Sequence, residues 1–551
     1  MKRIYIFIFI FCPLLTIHAQ LLGEKQEQFT KADTLRGSLR PERTSFDVLS
    51  YGLDIKINPE KRNIIGFNDI KFKVVEDTKK IQIDLFENMN VDSIVFNSKH
   101  LKYNRKHNAV FIDFPEKLQK NNIETIRFYY SGQPIVAKNP PWDGGFVFSK
   151  DKNGKPWIGV AVQGTGASLW YPNKDHLSDE PDQADIKVSV PNGLMNVSNG
   201  RLIEEIPMKN GYTKWHWRVE NSINNYNITV NIGDYTHFED SFQDLEMDYY
   251  VMKYNLEKAK SQFQQVQGMM QCFYEKFGEY PFEKDGFKLV ETPYLGMEHQ
   301  SAVAYGNGYQ NGYAGTDLSH TGVGKKWDFI IIHESAHEWF GNSISVADIA
   351  DLWIHEGFTS YAESVYVECE FGKKDAINYL YGLRSQVSNR EPIIGNYGVN
   401  DEGSSDMYYK GANMLNTIRS IVNNDEVWWS VLKKFYQNFK HSITNTEAVI
   451  QFFDKNIDYK LKPIFQQYLY HTTLPKLQLK FTDDEKLFMR WETDVKNFEM
   501  PVEFKNSNKA ELKRTDINSE WTEIDIELEN IKDLAINKFG FYIDVELVTN
   551  N

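Results

Sequence analysis

Apolar and polar residues alternate with a period of two along most of the chain from Phe46 to Thr236. The runs Leu53–Ile57, Ile70–Val74 and Ile81–Leu85 each place an apolar side chain at every second position, as half-buried strands do. Turn-forming Pro, Asn and Gly residues separate such runs. The pattern predicts an N-terminal antiparallel β saddle or sandwich over residues 46–240.

The periodicity changes to that of a helix after Met247. Leu256–Phe277 is predicted to form one amphipathic helix, because its apolar residues recur every three or four positions. Helical periodicity resumes at Lys325 and continues, interrupted by loops, to Tyr470. We therefore expect a mainly helical domain over residues 241–473.

The last segment returns to alternation. Leu477–Phe481 and Ile524–Leu528 again place apolar residues at every second position, which predicts a small C-terminal β-sandwich over residues 474–551. The chain as a whole is therefore expected to be an α+β multidomain protein.

The first residues have the composition of a secretory signal peptide. Two basic residues precede an apolar run from Ile4 to Ile17, and Ala19 supplies the small residue that precedes a cleavage point. The run is too short to span a bilayer comfortably. We expect residues 1–19 to be removed, residues 20–45 to form a lead segment, and the protein to be exported to a periplasm or outside the cell.

Charge and cysteine content limit the range of partners and cross-links. The formal net charge is −14, and removing residues 1–19 takes away two basic residues and no acidic one, which leaves −16. An acidic exported protein is a poor partner for nucleic acid or an anionic membrane. The remaining cysteines, Cys272 and Cys369, lie in partly apolar helical stretches, so we expect buried free thiols in preference to a disulfide.

The clearest chemical signal is His333-Glu-Ser-Ala-His337. Two imidazoles four residues apart lie on one face of a helix and can reach the same metal ion. Glu334 lies about 100° round the helix, where it can contact a water on the metal without being a ligand. Glu356, on the second apolar helical stretch Leu352–Tyr366, is the candidate third ligand.

Two ordinary histidines on a helix would give the same five-residue pattern. The carboxylate on a second helix favours a metal site, because two histidines and one glutamate leave the fourth tetrahedral position open for water. That arrangement is typical of a catalytic zinc site, and we expect one Zn²⁺ per chain.

The flanking residues resemble a known family. The stretch from His333 to Asn342, followed by Asp351–Phe358, is similar to the signature of the aminopeptidase N family of zinc aminopeptidases, peptidase family M1. The resemblance implies a thermolysin-like catalytic domain, in a short form that lacks the helical C-terminal domain of many relatives. His355 departs from the family, which usually has Asn before the ligand Glu.

The same resemblance implies a set of substrate-binding residues. Met297-Glu298 matches the family's Gly-x-Met-Glu-Asn segment, whose Glu binds the free α-amine of the substrate, with Gly296 and Tyr294 beside it in the cleft. Gln163 stands where the family places a residue that helps to hold the same amine. A lone Gln in a Gly-rich loop can equally be an ordinary loop residue.

Three further features follow from the resemblance. Tyr408 matches the family's Tyr-x-Lys-Gly motif, which implies a catalytic hydroxyl, although one of two adjacent tyrosines at a helix start is normally a packing residue. Leu295 and His299 depart from the Gly and Asn of the family motif. Ser301–Gly315 corresponds to an edge strand that pairs with the substrate, or else to a surface loop.

These residues predict a zinc aminopeptidase that acts, as a monomer, on peptides with a free N-terminus. Glu334 would serve as general base and then general acid, and Glu298 would restrict cleavage to the first peptide bond. Two alternatives remain: an endopeptidase or oligopeptidase with the same zinc site, and a non-catalytic peptide-binding scaffold of the same fold.

Overall fold

The computed structural model describes residues 29–162, 164–509 and 511–548. The predicted signal peptide, residues 20–28 and Gln163 lie outside the described residues. The first elements are two short helices, α1 (Lys31–Gly37) and α2 (Pro41–Thr44). In the described part of the chain, no helix combines the length and the apolar character needed to cross a bilayer.

The N-terminal region is built from β-sheets, as its alternating pattern predicts. Its strands are β1 (Phe46–Asn58), β2 (Asn63–Val74), β3 (Thr78–Asp84), β4 (Met89–Phe96), β5 (Lys99–His100), β6 (Lys102–Lys106), β7 (Ala109–Leu118), β8 (Ile123–Gly132), β9 (Gly145–Lys150), β10 (Pro156–Ala161), β11 (Gln183–Pro191), β12 (Met195–Val197), β13 (Arg201–Pro207), β14 (Tyr212–Val219) and β15 (Asn231–Gly233). An eight-stranded sheet has the order β13-β14-β11-β1-β2-β8-β4-β5. Smaller sheets have the orders β12-β15-β10-β9 and β3-β7-β6.

Strand β1 shows how the sequence pattern produces this region. Leu53, Ile55 and Ile57 are buried, whereas the polar residues between them are half exposed. The large sheet is not wholly antiparallel, because β1 runs parallel to β11, with Leu53 opposite Ile186. Alternation predicts a half-buried strand but does not determine which partner lies beside it.

A mixed sheet connects the N-terminal region to the helices. Its strands are β16 (Tyr235–Phe242), β17 (Leu245–Met252), β18 (Phe287–Glu291), β19 (Gly296–Met297) and β20 (Val303–Tyr305), in the order β16-β17-β18-β20-β19. The order of the strands contradicts the prediction of an edge strand within Ser301–Gly315. Strand β20 lies between β18 and β19, so the edge is formed by the Gly296–Met297 segment.

The next region is mainly helical. Its helices are α3 (Leu256–Gln262), α4 (Gln265–Lys276), α5 (Phe329–Ala336), α6 (Trp353–Phe371), α7 (Lys373–Leu383), α8 (Tyr409–Val422), α9 (Asp425–Phe439), α10 (Thr446–Asn456) and α11 (Lys462–Tyr470), with a parallel pair β21 (Ile344–Val346) and β22 (Ser442–Thr444). The single helix predicted over Leu256–Phe277 is two helices. The break lies at Phe263, whose ring centroid is 5.0 Å from that of Tyr305 and 5.2 Å from that of Tyr249, so the helix is interrupted where this side chain packs against the mixed sheet.

The C-terminal segment is β-structure, as its alternation predicts. Its strands are β23 (Lys476–Phe481), β24 (Leu487–Glu492), β25 (Met500–Asn506), β26 (Lys513–Ile517), β27 (Thr522–Ile524), β28 (Leu534–Ile536) and β29 (Asp544–Leu547), in sheets of order β27-β24-β23-β29 and β26-β25-β28. The strand predicted over Ile524–Leu528 ends at Ile524. Leu477 and Trp491 share an apolar cluster with Trp353 and Phe435 of the helices. The packing of these two sheets into a closed sandwich remains a prediction, and so do the domain boundaries given above.

The prediction of two free thiols is wrong. Cys272 on α4 and Cys369 on α6 form a disulfide, with their Cα atoms 6.1 Å apart. That separation is in the normal range for disulfides. The sequence did not reveal the bridge because it depends on the packing of α4 against α6, which brings together residues 97 positions apart.

Candidate metal centre

Helix α5 has a capped N-terminus and carries the first two candidate metal ligands near its C-terminal end. Asp328 caps the helix by accepting hydrogen bonds from the backbone N–H groups of Ile330 (3.1 Å) and Ile331 (3.4 Å). Regular α-helix ends at Ala336, but His337 keeps helical dihedral angles, so His333 and His337 still face the same side.

A tight turn at Gly341 reverses the direction of the chain after helix α5. Gly341 has a φ of +126°, which glycine adopts far more readily than residues with a side chain. A Cβ atom at this position would be 3.0 Å from Nδ1 of His337 and 3.4 Å from Cγ of His355. The glycine therefore permits both the turn and the close packing of the chain on the ligand ring.

Helix α6 supplies the third ligand candidate from its first turn. Glu356 Oε2 lies 3.7 Å from Nε2 of His333 and 3.4 Å from Nε2 of His337, and all three side chains are buried. Two ligand atoms about 2.0–2.2 Å from one tetrahedral metal are separated by roughly 3.3–3.6 Å. The three residues therefore fit a zinc ion, as the sequence predicts.

In His333 and His337 the Nδ1 atom has a hydrogen-bond partner, which leaves the Nε2 atom available to a metal. His333 Nδ1 lies 2.6 Å from Oε1 of Glu363, and His337 Nδ1 lies 3.0 Å from the main-chain oxygen of Phe340. Such partners fix the tautomer so that Nε2 carries the lone pair. Burial acts to raise the pKa of Glu356, but the two histidines outweigh it and hold that pKa below the usual range.

Glu334 lies between the metal ligands and strand β19. A Cβ atom at Gly296 would be only 2.8 Å from Oε1 of Glu334 and 2.8 Å from Cγ2 of Ile330, so glycine is needed where the strand passes the helix. Burial raises the pKa of Glu334 to about 7, and the nearby Glu298 carboxylate adds to the increase. A carboxylate with such a pKa is suited to proton transfer near neutral pH.

Glu298 is brought to the same centre. One carboxylate oxygen of Glu298, one of Glu334 and a ring nitrogen of His337 lie within 4.8 Å of one another. The Asn342 amide donates a 2.8 Å hydrogen bond to the main-chain oxygen of Glu298, which ties the segment after strand β19 to the turn that follows His337. Burial raises the pKa of the Glu298 carboxyl, whereas the Tyr226 hydroxyl acts to lower it. Tyr226 was not among the predicted site residues, because no local sequence pattern distinguishes it.

The remaining predicted residues have varied positions. Met297 and Tyr408 line the cleft with the ligands, and the Tyr408 ring stacks 6.1 Å from that of His333. Tyr294 is buried, and its hydroxyl donates to the main-chain oxygen of Val160 at 3.0 Å, so it ties β10 to the loop before β19. Gln163 lies outside the described residues.

Leu295, His299 and His355, which depart from the family motif, are all accommodated without a positive φ. Leu295 has no positive φ, so it occupies the place of a glycine without that form of backbone strain. His299 and His355 are fully buried, and burial lowers the pKa of each to about 3. Both imidazoles are therefore neutral at physiological pH.

The metal centre opens into a cavity of about 990 Å³. Its walls include several residues that sequence analysis did not single out, since they come from distant segments: Arg36, Trp142, Tyr313, Phe329, Leu352 and Glu402. The space is sufficient for a peptide segment.

Two family models match the chain. The Peptidase M1 N-terminal domain matches residues 48–226, and the Peptidase family M1 domain matches residues 254–468. The chain belongs to peptidase family M1. The match over residues 254–468 contains the three candidate metal ligands, Glu298, Glu334 and Tyr408, and the match over residues 48–226 contains Gln163.

The M1 relatives are distant in sequence. The leucyl aminopeptidase of Saccharolobus solfataricus is 23% identical over 305 residues, which cover 52% of this chain and 38% of that protein. The probable aminopeptidase 1 of Sulfurisphaera tokodaii is 20% identical over 520 residues, which cover 88% of this chain and 63% of that protein. The chain thus spans about two fifths to two thirds of the lengths of these relatives.

A solved structure shows the M1 fold directly. A variant M1 zinc metallopeptidase of Deinococcus radiodurans, bound to a Tyr-Ser-Ala substrate, superposes with a TM-score of 0.63 at 18% identity. The match covers 78% of this chain and 95% of that one. At this identity the likeness shows a common fold, including the N-terminal β-rich region and the helical catalytic region.

Proposed function

We propose that the protein is a zinc-dependent aminopeptidase that releases the first residue of peptides with a free N-terminus. The observation that carries the proposal is the position of Glu298, whose carboxylate lies beside Glu334 and His337 in one buried cluster. A cation-binding acid so close to the hydrolytic centre leaves room for one residue between the substrate's ammonium group and the bond that is cut.

The metal ligands would be His333, His337 and Glu356. Zinc bound there would lower the pKa of a water ligand to roughly 7 and polarise the carbonyl of the peptide. Glu334 accepts the proton of the attacking water and delivers it to the departing amine. The Tyr408 hydroxyl donates a hydrogen bond to the carbonyl oxygen as negative charge develops on it.

Glu298 supplies the exopeptidase restriction. Its carboxylate pairs with the substrate's α-ammonium group in a poorly solvated cleft, where such a pair is stronger than in water. An acetylated N-terminus would leave the carboxylate desolvated without a cation, at a cost of about 1–3 kcal/mol or more. Gln163 is proposed to assist, on the strength of the family resemblance alone.

Paired substrates test the proposal. Wild-type protein and Glu334→Gln are compared on free and N-acetylated leucine amidomethylcoumarin, and zinc content is measured for both proteins. We expect hydrolysis of the free substrate only, and a loss of about 10³-fold or more in the variant with its zinc retained. Equal rates in the two proteins would contradict the proposed enzymatic function and favour the alternative, a non-catalytic peptide-binding scaffold.

Glu298→Gln separates the exopeptidase from the endopeptidase. We expect the variant to lose about 10- to 100-fold in kcat/KM on the free substrate, because an amide replaces the acid that pairs with the ammonium group. Cleavage of blocked peptides at internal bonds by the wild-type protein would instead support the endopeptidase alternative.

We further propose that the protein is exported. The predicted signal peptide supports this, and so does the Cys272–Cys369 disulfide, since such bonds persist mainly in oxidising compartments. Expression of the full chain, followed by cell fractionation and N-terminal sequencing, tests the proposal. A product found in the cytoplasm with Met1 retained would contradict it.

A further inference from the structure

The segment that precedes the first strand is firmly anchored. This amino-terminal arm, residues 29–45, lies ahead of the part of the chain that the family models match. Arg43 is fully buried and pairs with Asp84 at 2.6 Å, and its guanidinium also donates to the main-chain oxygen of Arg36 at 2.5 Å. Leu35 packs in a small apolar cluster with Ala109 and Phe111. A buried ion pair and an apolar anchor give the arm one defined position.

The arm forms part of the wall of the catalytic cleft. Arg36 lines the cleft together with Glu402, Asn400 and Gly164. Gly37 packs directly on the loop that carries Glu402, since a Cβ atom there would be 2.2 Å from the backbone of Val399.

A smaller cavity continues from this corner of the cleft. It shares Arg36, Gly164 and Asn400 with the main cleft and is also lined by Gly37 and Val399. We call this corner, defined by these five residues and Glu402, the arm–loop pocket.

The arm–loop pocket lies on the amine side of the metal centre. Gly164 follows Gln163, which the family resemblance places near the substrate's amine. Tyr226, which acts on the pKa of Glu298, also lines the smaller cavity. A substrate whose ammonium group pairs with Glu298 would therefore direct its first side chain towards this pocket.

Around the arm–loop pocket, the carboxylates of Glu402 and of Asp175, which also lines the smaller cavity, outnumber the single guanidinium of Arg36. Arg36 Nε lies 4.0 Å from Oδ2 of Asp175, so the guanidinium already has one carboxylate partner. Among the described residues, no side-chain cation lies within 4.0 Å of the Glu402 carboxylate, which a Cβ atom at Gly164 would approach to 3.2 Å. Burial raises the pKa of Glu402, with further contributions from Glu356 and Asp401 that outweigh the opposing effect of Arg36.

We propose that the arm–loop pocket receives the side chain of the substrate's first residue and that Glu402 selects a cationic side chain, Lys or Arg. The proposal rests on the aminopeptidase function proposed above. A lysine ammonium or arginine guanidinium placed between the arm and the loop would supply the counter-charge that Glu402 lacks. An aspartate or glutamate side chain would add a third carboxylate to those of Glu402 and Asp175.

A substrate panel tests the inference. The kcat/KM values are measured for Arg, Lys, Leu and Glu amidomethylcoumarins with the wild-type protein and with Glu402→Gln. We expect the wild-type protein to favour Arg and Lys, and the Arg-to-Leu ratio to fall about tenfold or more in the variant. Glu391→Gln, which changes an exposed acid earlier in the same segment, is the matched control and should keep the wild-type ratio.

A second variant separates the two charges of the pocket. Arg36→Gln removes the positive charge and should raise the Arg-to-Leu ratio, because the substrate's cation is no longer repelled. An unchanged ratio in Glu402→Gln would overturn the inference, as would a wild-type preference for Glu that Arg36→Gln abolishes. In both cases hydrolysis of the free Leu substrate would leave the proposed aminopeptidase function standing, whereas no hydrolysis of any free substrate would refute that function itself.

Discussion

Glu363 Oε1 lies 2.6 Å from Nδ1 of His333, while the other carboxylate oxygen accepts a 2.7 Å hydrogen bond from the Tyr379 hydroxyl. Glu363 and the candidate ligand Glu356 lie on the same helix, α6, seven residues apart, so one helix both supplies a proposed metal ligand and contacts a second one, His333. Partners of this kind typically change metal affinity by 10–100-fold.

We therefore expect Glu363→Gln to weaken zinc binding by about 10–100-fold, with a smaller effect on kcat at saturating zinc. Competition with a chelator of known affinity measures the change. Glu370→Gln, an exposed position on the same helix, is the matched control. Equal zinc affinities in the two variants would show that the Glu363 contact does not support the ligand.

Tyr408→Phe removes one hydroxyl from the ring that stacks on His333. Because that hydroxyl is proposed to bind the oxygen only as charge develops, kcat should fall about 10²–10³-fold, with KM and zinc content little changed. Tyr409→Phe is the natural comparison, since it alters the adjacent tyrosine. A similar loss in both variants would indicate a packing effect.

The pH profile should show an acid limb that reports Glu334. Burial raises its pKa to about 7, and only the ionised carboxylate can accept a proton, so kcat/KM should fall as pH drops through this pKa. Bound zinc would lower the value, which places the limb at or below pH 7. Zinc content is checked at each pH, and an undiminished kcat/KM down to pH 5 with zinc retained would contradict the assignment.

The Cys272–Cys369 bridge should contribute substantially to stability. It joins residues 97 positions apart, and a loop of about that length corresponds to up to roughly 4–5 kcal/mol in the chain-entropy description. Replacing both cysteines with Ala should lower the free energy of unfolding by about 2–5 kcal/mol, measured by urea denaturation. Reductant should destabilise the wild-type protein and leave the double variant unchanged; an equal effect on both would show that the bridge is not its target.

The clustering of the candidate metal ligands was predictable because their arrangement is mainly local. The spacing of His333 and His337 determines a common helix face, and Glu356 follows on the next long helix after a glycine turn. The proposed amine-binding role of Glu298 came from a resemblance over a few residues. In each case the decisive information lies within one contiguous segment of sequence.

The features that were missed depend on long-range packing. Arg36, Tyr226 and Glu402 come from three separate parts of the chain, and no periodicity or motif connects them. The disulfide was predicted wrongly for the same reason, since only the packing of α4 on α6 brings Cys272 to Cys369.

Helix α6 carries the ligand Glu356 in its first turn and Cys369 near its last residue. Protein produced in a reducing cytoplasm would lack the covalent link at one end of this buried helix, and chelation would then remove a bound metal's link at the other end. Purification for metal analysis should therefore start from material made in an oxidising compartment. There the disulfide still holds the end of helix α6, so a protein stripped of zinc can bind the metal again.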